Sequence, residues 1–561
     1  TCKVPYTLDF YDPGNNSLTG ISDYSSKTPF SFDSKFSFTL FFACIFSVVL
    51  GLHSLQAQIT NAPPNEISPW VNDGTYSALE TDSFSTGLCV GGVADLPNLI
   101  DSNLENSASV TVAIGLGCST SVAVRDPNNV YPEGTWAGFR MATTGLLSAL
   151  VNLNITISTY INGNPTTDQI VVNSGLINAN LLANNSSNVG FVTTQPFDEI
   201  RITYSSAVSL LYTPEVYHAS IIRFEEGPAL ECNTTTPMMR PIYPMSISDD
   251  RTDLSAILDL NPSSDMDNVV DSDPDNFATL NFTLGSGSLS VKDELTTYDG
   301  GTFAGFDIES TSLLSVGLLD AITITTYLDG SEQETADGSS GGILALNTSI
   351  LNSGNERSQI GFITSKPFDE VQITGTSLLG SMNVYGLSLK EFCPADTSVL
   401  TCNTPVMATE PDFPLLINGI NTGVTGVGLG SVTNSTAVID ADDSNFATID
   451  LALGVLGTAS LSVQNPLDTY PANTYTGFDL ETGGILSLDL LDNVTLTTYL
   501  DGVEQESIDG SSEALLAVNS GLLFGDPGRY QIGFVASTPF DEVQISMEQI
   551  AGVDEAPRNP G

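Results

Sequence analysis

A thirteen-residue phrase occurs three times in this chain: GFVTTQPFDEIRI from Gly190, GFITSKPFDEVQI from Gly361 and GFVASTPFDEVQI from Gly533. The steps between copies are 171 and 172 residues. Other landmarks keep the same order and spacing. DSNLENSASV from Asp101 aligns with DSDPDNFATL from Asp271 and DADDSNFATI from Asp440. YPEGTWAGF, YDGGTFAGF and YPANTYTGF begin at Tyr131, Tyr298 and Tyr470, and ITISTYING, ITITTYLDG and VTLTTYLDG align on Tyr160, Tyr327 and Tyr499. Solenoid turns and propeller blades repeat every 20 to 50 residues or so. A period this long makes each copy a whole domain that must bury its own core.

Within a copy the patterning is that of strands. ITITTYLDG alternates Ile and Tyr with Thr and closes on a D-G turn, the mark of a half-buried strand entering a hairpin. GFITS, PFDEVQIT, LSLSVKD and NFTLG read likewise, and long helical periodicity is scarce; stretches such as LLSALVNLNI (146–155) fit either reading. Many short strands with Gly, Asn and Asp turns predict a two-sheet sandwich. A jelly roll suits copies of this length better than a minimal immunoglobulin sandwich of about 100 residues. The expected fold is therefore all-β: three tandem β-sandwich domains in an extended array. Repeat 1 is placed at 58–228, repeat 2 at 241–393 and repeat 3 at 411–551. Pro- and Thr-rich linkers at 229–240 and 394–410 separate them, and a tail covers 552–561.

Sixty-six acidic residues face 15 basic ones, a net charge of −51. Neutralising nucleic-acid phosphates is excluded on that balance. Charged residues are only 14% of the chain, against about 25% in an ordinary domain, so the acidity reflects a shortage of Lys and Arg. Two His leave little room for His-based catalysis or a zinc site. Lys35, the apolar stretch 36–52 and Ala57 have the three parts of a signal peptide, placed at 35–57 with cleavage before Gln58. The competing reading is a membrane anchor, but no basic stop-transfer cluster follows. Residues 1–34 are expected to lie outside the mature protein. The product is expected to be secreted, extracellular or at the cell surface, with no membrane insertion after cleavage.

Export favours disulfides over metal thiolates. Of the five Cys after Ala57, the expected pairs are Cys89–Cys118 and Cys393–Cys402. Cys232 is then left as a free thiol, as half of an intermolecular bridge, or as the sign of a different pairing.

The order of acidic turn, strand, Y-D-G hairpin, PFDEVQI and NVYGLSLKEF (383–392) resembles the galactose-binding-like (discoidin-type) jelly rolls. NVVDSDPDNFATL and the YPxxTxxGF elements also resemble repeats in large secreted surface proteins of Bacteroidota, many of them adhesin-like. The first resemblance implies a structural Ca²⁺ near the acidic turn. The recurrent sugar-stacking Trp pattern of such modules is absent here.

Three sets of residues are site candidates. Asp101, Asn103 and Glu105, then Asp271, Asp273 and Asp275, then Asp440 and Asp442 offer oxygens at alternate positions in a turn. That spacing can wrap Ca²⁺, although it is not an EF-hand loop; the alternative is an Asx turn. Asp198/Glu199, Asp369/Glu370 and Asp541/Glu542 suggest an acid–base pair. Neighbouring strand residues point to opposite faces, however, which favours a framework corner anchored by Phe197, Phe368 and Phe540. Trp136, Phe303 and Tyr475 vary in type before an invariant Phe (Phe139, Phe306, Phe478). They are expected either to stack on a glycan or to form a second core layer or inter-domain contact.

No phosphate loop, dinucleotide fingerprint or nucleophile elbow occurs, and His218, in VYHASIIRF, reads as structural. The function expected is non-enzymatic: an adhesin or an extracellular spacer array within a larger surface assembly, with glycans or surface proteins as partners. The alternative is an array of carbohydrate-binding modules attached to a larger surface protein or a polysaccharide-degrading enzyme.

Overall fold

The computed structural model describes residues 62–71, 75–80, 83–84, 90–114, 118–142, 153–172, 186–206, 213–248, 251–252, 266–282, 285–310, 321–338, 342–345, 357–376, 381–395, 406–426, 430–442, 444–451, 457–481, 493–512, 515–517 and 529–549. The fold is all-β, and among these residues the only helical elements are short 3₁₀ turns. The expected signal segment and Cys89 and Cys402 lie outside the described residues.

The first sandwich comprises β1 (Ser68–Pro69), β2 (Ser77–Glu80), β3 (Ser83–Phe84), β4 (Val90–Ala94), β5 (Ala108–Ile114), β6 (Cys118–Arg125), β7 (Trp136–Ala142), β8 (Leu153–Ile161), β9 (Asn164–Val172), β10 (Ser186–Val192), β11 (Glu199–Ser206) and β12 (Glu215–Ile222). One sheet runs β10-β7-β12-β5-β4 and the other β2-β6-β11-β8-β9. The second comprises β13 (Thr236–Met238), β14 (Met245–Ile247), β15 (Ala278–Asn281), β16 (Gly287–Asp293), β17 (Thr302–Ser310), β18 (Ile322–Leu328), β19 (Ser331–Asp337), β20 (Leu344–Ala345), β21 (Ser358–Ile363), β22 (Glu370–Gly375) and β23 (Ser381–Glu391). Its sheets run β13-β23-β17-β21-β20, with β15 also on β23, and β14-β16-β22-β18-β19.

The third comprises β24 (Leu416–Ile417), β25 (Gly423–Gly426), β26 (Gly430–Thr433), β27 (Thr448–Leu451), β28 (Gly457–Gln464), β29 (Tyr475–Glu481), β30 (Val494–Leu500), β31 (Val503–Asp509), β32 (Leu516–Ala517), β33 (Arg529–Val535) and β34 (Glu542–Gln549). One sheet, β24-β28-β34-β30-β31, matches its counterparts. The other is in two pieces, β26-β27 and β29-β33-β32. Three separate sets of buried side chains form the cores, around Phe139 and Phe197, around Phe306 and Phe368, and around Phe534 and Phe540.

Local chemistry explains the repeated phrases. Each β8–β9, β18–β19 and β30–β31 hairpin turns through two left-handed residues, Asn162-Gly163, Asp329-Gly330 and Asp501-Gly502, as a tight primed turn demands. Each Phe of the PFDE phrase is buried and pairs by an isolated bridge with the Tyr that opens the next landmark, Tyr131, Tyr298 or Tyr470. The ring centroids are 5.5, 5.7 and 5.3 Å apart. Residues 153–155 of the ambiguous LLSALVNLNI stretch enter β8.

The cysteine pairing differs from the expectation. Cys393 bonds to Cys232, 161 residues away with Cα atoms 5.4 Å apart, and so cannot pair with Cys402. The physical reason is β-sheet closure. β13 lies antiparallel to β23, which brings the entry and exit of the second sandwich side by side. The Cys89–Cys118 pairing falls on residues whose side chains are not described.

Candidate functional site

The first candidate set consists of turns that satisfy themselves. Asp101 Oδ1 accepts the Asn103 N–H at 2.9 Å, Asn103 Oδ1 accepts the Glu105 N–H at 3.2 Å, and Asp101 Oδ2 accepts the Asn106 amide at 2.8 Å. Asp271, Asp273 and Asn276 repeat this ladder at 2.9, 3.1 and 2.8 Å, and Asp440, Asp442 and Asn445 at 3.0, 3.0 and 2.7 Å. This is Asx-turn chemistry. Among the described residues no group of three or more His, Cys, Asp or Glu side chains is arranged to hold a metal ion.

The paired acids part company at the corner. Asp198, Asp369 and Asp541 each accept the N–H of the hairpin's left-handed residue, at 3.0, 3.2 and 3.0 Å. They tie the corner to the hairpin. Glu199, Glu370 and Glu542 are buried in the sheet. Glu199 is held by Arg201 at 2.6 Å. Glu370 is held by Arg251 at 3.1 Å and the Ser290 hydroxyl at 2.6 Å. Glu542 accepts from Ser462, Asn421 and Asn418, at 2.5, 2.7 and 3.1 Å.

The variable aromatics share one geometry and three environments. In register, Gly138 faces Gly190, Gly305 faces Gly361 and Gly477 faces Gly533. The neighbouring Trp136, Phe303 or Tyr475 ring lies across the pair; a Cβ built on Gly190, Gly361 or Gly533 would meet it at 2.5 to 2.7 Å. Phe303 is then sealed by Phe392 and by Leu416 of the third sandwich. At 0% exposure it offers no face to a sugar, which corrects the glycan-stacking expectation in favour of an inter-domain contact. Lys390, also buried, reaches across the same junction to Glu410 and, at 2.7 Å, to the Leu415 carbonyl. Tyr475 and Trp136 stay half-buried.

At the corresponding junction of the first and second sandwiches the fit is looser and a groove opens. Strand pairing sets its floor in rows: Val192–Trp136–Ile222, Gly190–Gly138–Ser220 and Asn188–Arg140–His218. Beside Trp136, a small pocket of about 30 Å³ is closed by Arg240, Ser246 and Ile247 of the second sandwich. It shares Asn188 and Asp267 with a groove of about 590 Å³ that also takes in Arg140, Glu105, Tyr217 and His218. That volume is within the range of small-molecule sites, roughly 300–1,000 Å³.

Electrostatics arm this groove with both signs. Arg140 pairs with Glu105 at 3.5 Å, donates to Ser186 Oγ at 3.0 Å and lies 5.4 Å from the centre of the Tyr217 ring. Arg240 pairs with Asp267 at 3.6 Å. His218 is buried, with Nδ1 3.0 Å from Ser220 Oγ. Burial first, then the Arg140 charge, push its pKa down to about 4, so the imidazole is neutral at neutral pH. His218 Nε2 and Asn188 Oδ1 are buried without a protein partner. Buried polar atoms are rarely left so.

Sequence reading named Trp136 and His218 but missed Arg140, Asn188, Tyr217 and Asp267 as a group. A signal was available for Arg140: the other copies place Asp307 and Asp479 there.

No family model matches the chain, and no curated protein matches it. Solved structures similar to it include a fucolectin from striped bass (Morone saxatilis) serum, 9% identical with a TM-score of 0.17, covering 57% of this chain and 97% of the lectin. Allantoicase from Saccharomyces cerevisiae is 8% identical with a TM-score of 0.20, covering 61% of this chain and 97% of its own. The CBM32-1 and CBM32-2 domains of Clostridium perfringens ZmpB are 8% identical with a TM-score of 0.18, covering 56% and 92%.

Proposed function

We propose that this chain is a non-catalytic, exported carbohydrate-binding protein that takes a neutral oligosaccharide in the groove between its first and second sandwiches. The observation that carries the reading is the groove's inventory: two buried polar atoms without partners, His218 Nε2 and Asn188 Oδ1, beside the Arg140 fork and the Tyr217 ring. A sugar supplies hydroxyls, which donate and accept, and an apolar ring face that packs on aromatic surface. A net charge of −51 opposes polyanionic glycans. Glu105 and Asp267 are tied to Arg140 and Arg240, which makes them acceptors for ligand hydroxyls and leaves no free acid–base pair. Export is part of the same proposal and rests on the Lys35–Ala57 segment together with the Cys232–Cys393 disulfide.

Titration calorimetry of the full chain against a panel of neutral oligosaccharides tests this. Saturable binding is expected, weakened about tenfold or more by Arg140→Ala or Tyr217→Ala, the scale of losing one buried polar or aromatic contact. A panel with no ligand, or a ligand indifferent to both substitutions while the variants keep their strand circular dichroism, would overturn it.

A further inference from the structure

One lysine is buried where two sandwiches meet. Of the described lysines, Lys366 is exposed and Lys292 partly so, whereas Lys390 of β23 is 2% exposed. Its Nζ meets the Glu410 carboxylate, on the segment that enters the third sandwich, and donates to the Leu415 carbonyl at 2.7 Å. The surroundings are apolar. Phe303 lies opposite Lys390 in the β17–β23 ladder and packs with Phe392 and Leu416, and Nζ is 5.1 Å from the centre of the Phe392 ring. Burying an ion pair in such a place costs hydration that its attraction often does not return.

The first junction uses the same backbone positions with different side chains. Ile222 lies opposite Trp136 as Lys390 lies opposite Phe303. Arg240 and Glu410 each donate a backbone N–H to the carbonyl just before the acidic turn, Val270 or Ile439, at 2.9 and 2.6 Å. At the first junction the two positions therefore hold an aliphatic chain and a guanidinium, and Arg240 turns to Asp267. Of the two junctions, the second alone sets a primary amine against a carboxyl group at these positions.

We infer that Lys390 and Glu410 condense to an isopeptide bond, an amide cross-link that joins the second sandwich to the third. A proton passes from the ammonium to the carboxylate, which leaves an amine and a carboxylic acid. The Nζ lone pair attacks Cδ of Glu410 and a C–N bond forms. The C–OH bond then breaks, and the hydroxyl leaves as water with a proton from the nitrogen. Nothing is oxidised or reduced, and no co-reactant is consumed. Burial prepares the first step: it pushes the Lys390 pKa down and the Glu410 pKa up, and the nearby Asp440 charge pushes the latter further. The packed junction holds the two groups in contact, which makes the attack unimolecular. The product suits the site better than the ion pair does. It carries no charge, and its one remaining N–H has the Leu415 carbonyl as acceptor, so no buried polar group is orphaned. The bond closes a ring through 390–410 and adds a covalent connection between the two sandwiches beside the linker.

Mass spectrometry of the purified, reduced full chain tests this, with Lys390→Arg as the comparison. Arginine keeps the positive charge opposite Glu410, but its guanidinium stays protonated and is no nucleophile. The wild type should be lighter than its sequence by one water, and Lys390→Arg should not. A glutamate-specific protease cuts between Glu391 and Phe392 and so separates Lys390 from Glu410 in an unlinked chain. The wild-type digest should instead hold the peptide ending at Glu391 joined to the peptide beginning at Phe392, with fragmentation placing the branch on Lys390 and Glu410. The inference is overturned if the two wild-type peptides appear separately at their full masses, which would leave a plain buried ion pair. It is equally overturned if Lys390→Arg lacks the same water, or if the branch maps to another residue.

Discussion

Glu542 shows how one side chain can make stability depend on pH. Its carboxylate is buried and, among the described residues, receives three hydrogen bonds but no cation, unlike Glu199 with Arg201 and Glu370 with Arg251. Burial pushes its pKa up, and the bonds from Ser462, Asn421 and Asn418 only partly oppose this. A raised carboxylate pKa means that the folded state holds the proton more tightly than the unfolded one. The stability it contributes is complete below the ordinary glutamate pKa and is lost as pH rises through the higher folded value. Denaturant midpoints of the wild type and Glu542→Gln, compared in neutral and mildly acidic buffer, should show the wild type gaining more on acidification. Equal gains would remove Glu542 as the cause. The adjacent acids of PFDE illustrate what the residues alone could convey. Alternation along a strand says that they face apart, and they do: Asp541 holds a hairpin and Glu542 enters the sheet. Which cation or amide meets Glu370 and Glu542 was not legible, because Arg251 and Asn421 come from segments more than a hundred residues away.

At the level of the strand, the glycine pairs set how closely neighbours approach. A Cβ on Gly305 would lie 2.4 Å from the Ile360 carbonyl oxygen and 2.6 Å from the Phe303 ring. Neither backbone nor a fully buried ring yields easily. Gly305→Ala should cost about 1–3 kcal/mol, the usual penalty of overpacking; an unchanged melting midpoint would show that the sheet can relax there. The strands themselves were readable. Alternation in ITITTYL and the D-G step predicted β18 and its turn, and β18 spans Ile322–Leu328. The varying Trp, Phe and Tyr were readable as a set apart from the invariant Phe. Their different surroundings were not, since what covers Phe303 is Leu416 of another sandwich.

Across the molecule, one asparagine bridges the sandwiches at each of these two junctions. Asn65, left-handed at φ 57°, donates to the Glu225 and Pro241 carbonyls at 3.1 and 3.0 Å and accepts the Glu225 N–H at 2.9 Å. Asn233, also at φ 57°, repeats this with Cys393 O and Pro411 O, at 3.2 and 2.8 Å, and with Cys393 N at 2.8 Å. Asn233→Ala should speed exchange of the Cys393 amide and destabilise by about 1–3 kcal/mol, the penalty for orphaned buried polar groups; no change in either would reduce the contact to incidental packing. The C-N-T triplet at Cys232 contains Asn233, but its partners Cys393 and Pro411 lie 160 and 178 residues away in the chain. The disulfide beside Asn233 has a mechanical corollary. Tension drawn through the polypeptide passes from Cys232 straight to Cys393 and skips the loop between them. That loop holds roughly 550 Å of extensible chain, at about 3.3–3.6 Å per residue. Under load the outer sandwiches can pay out length, while the middle one behaves as an inextensible link.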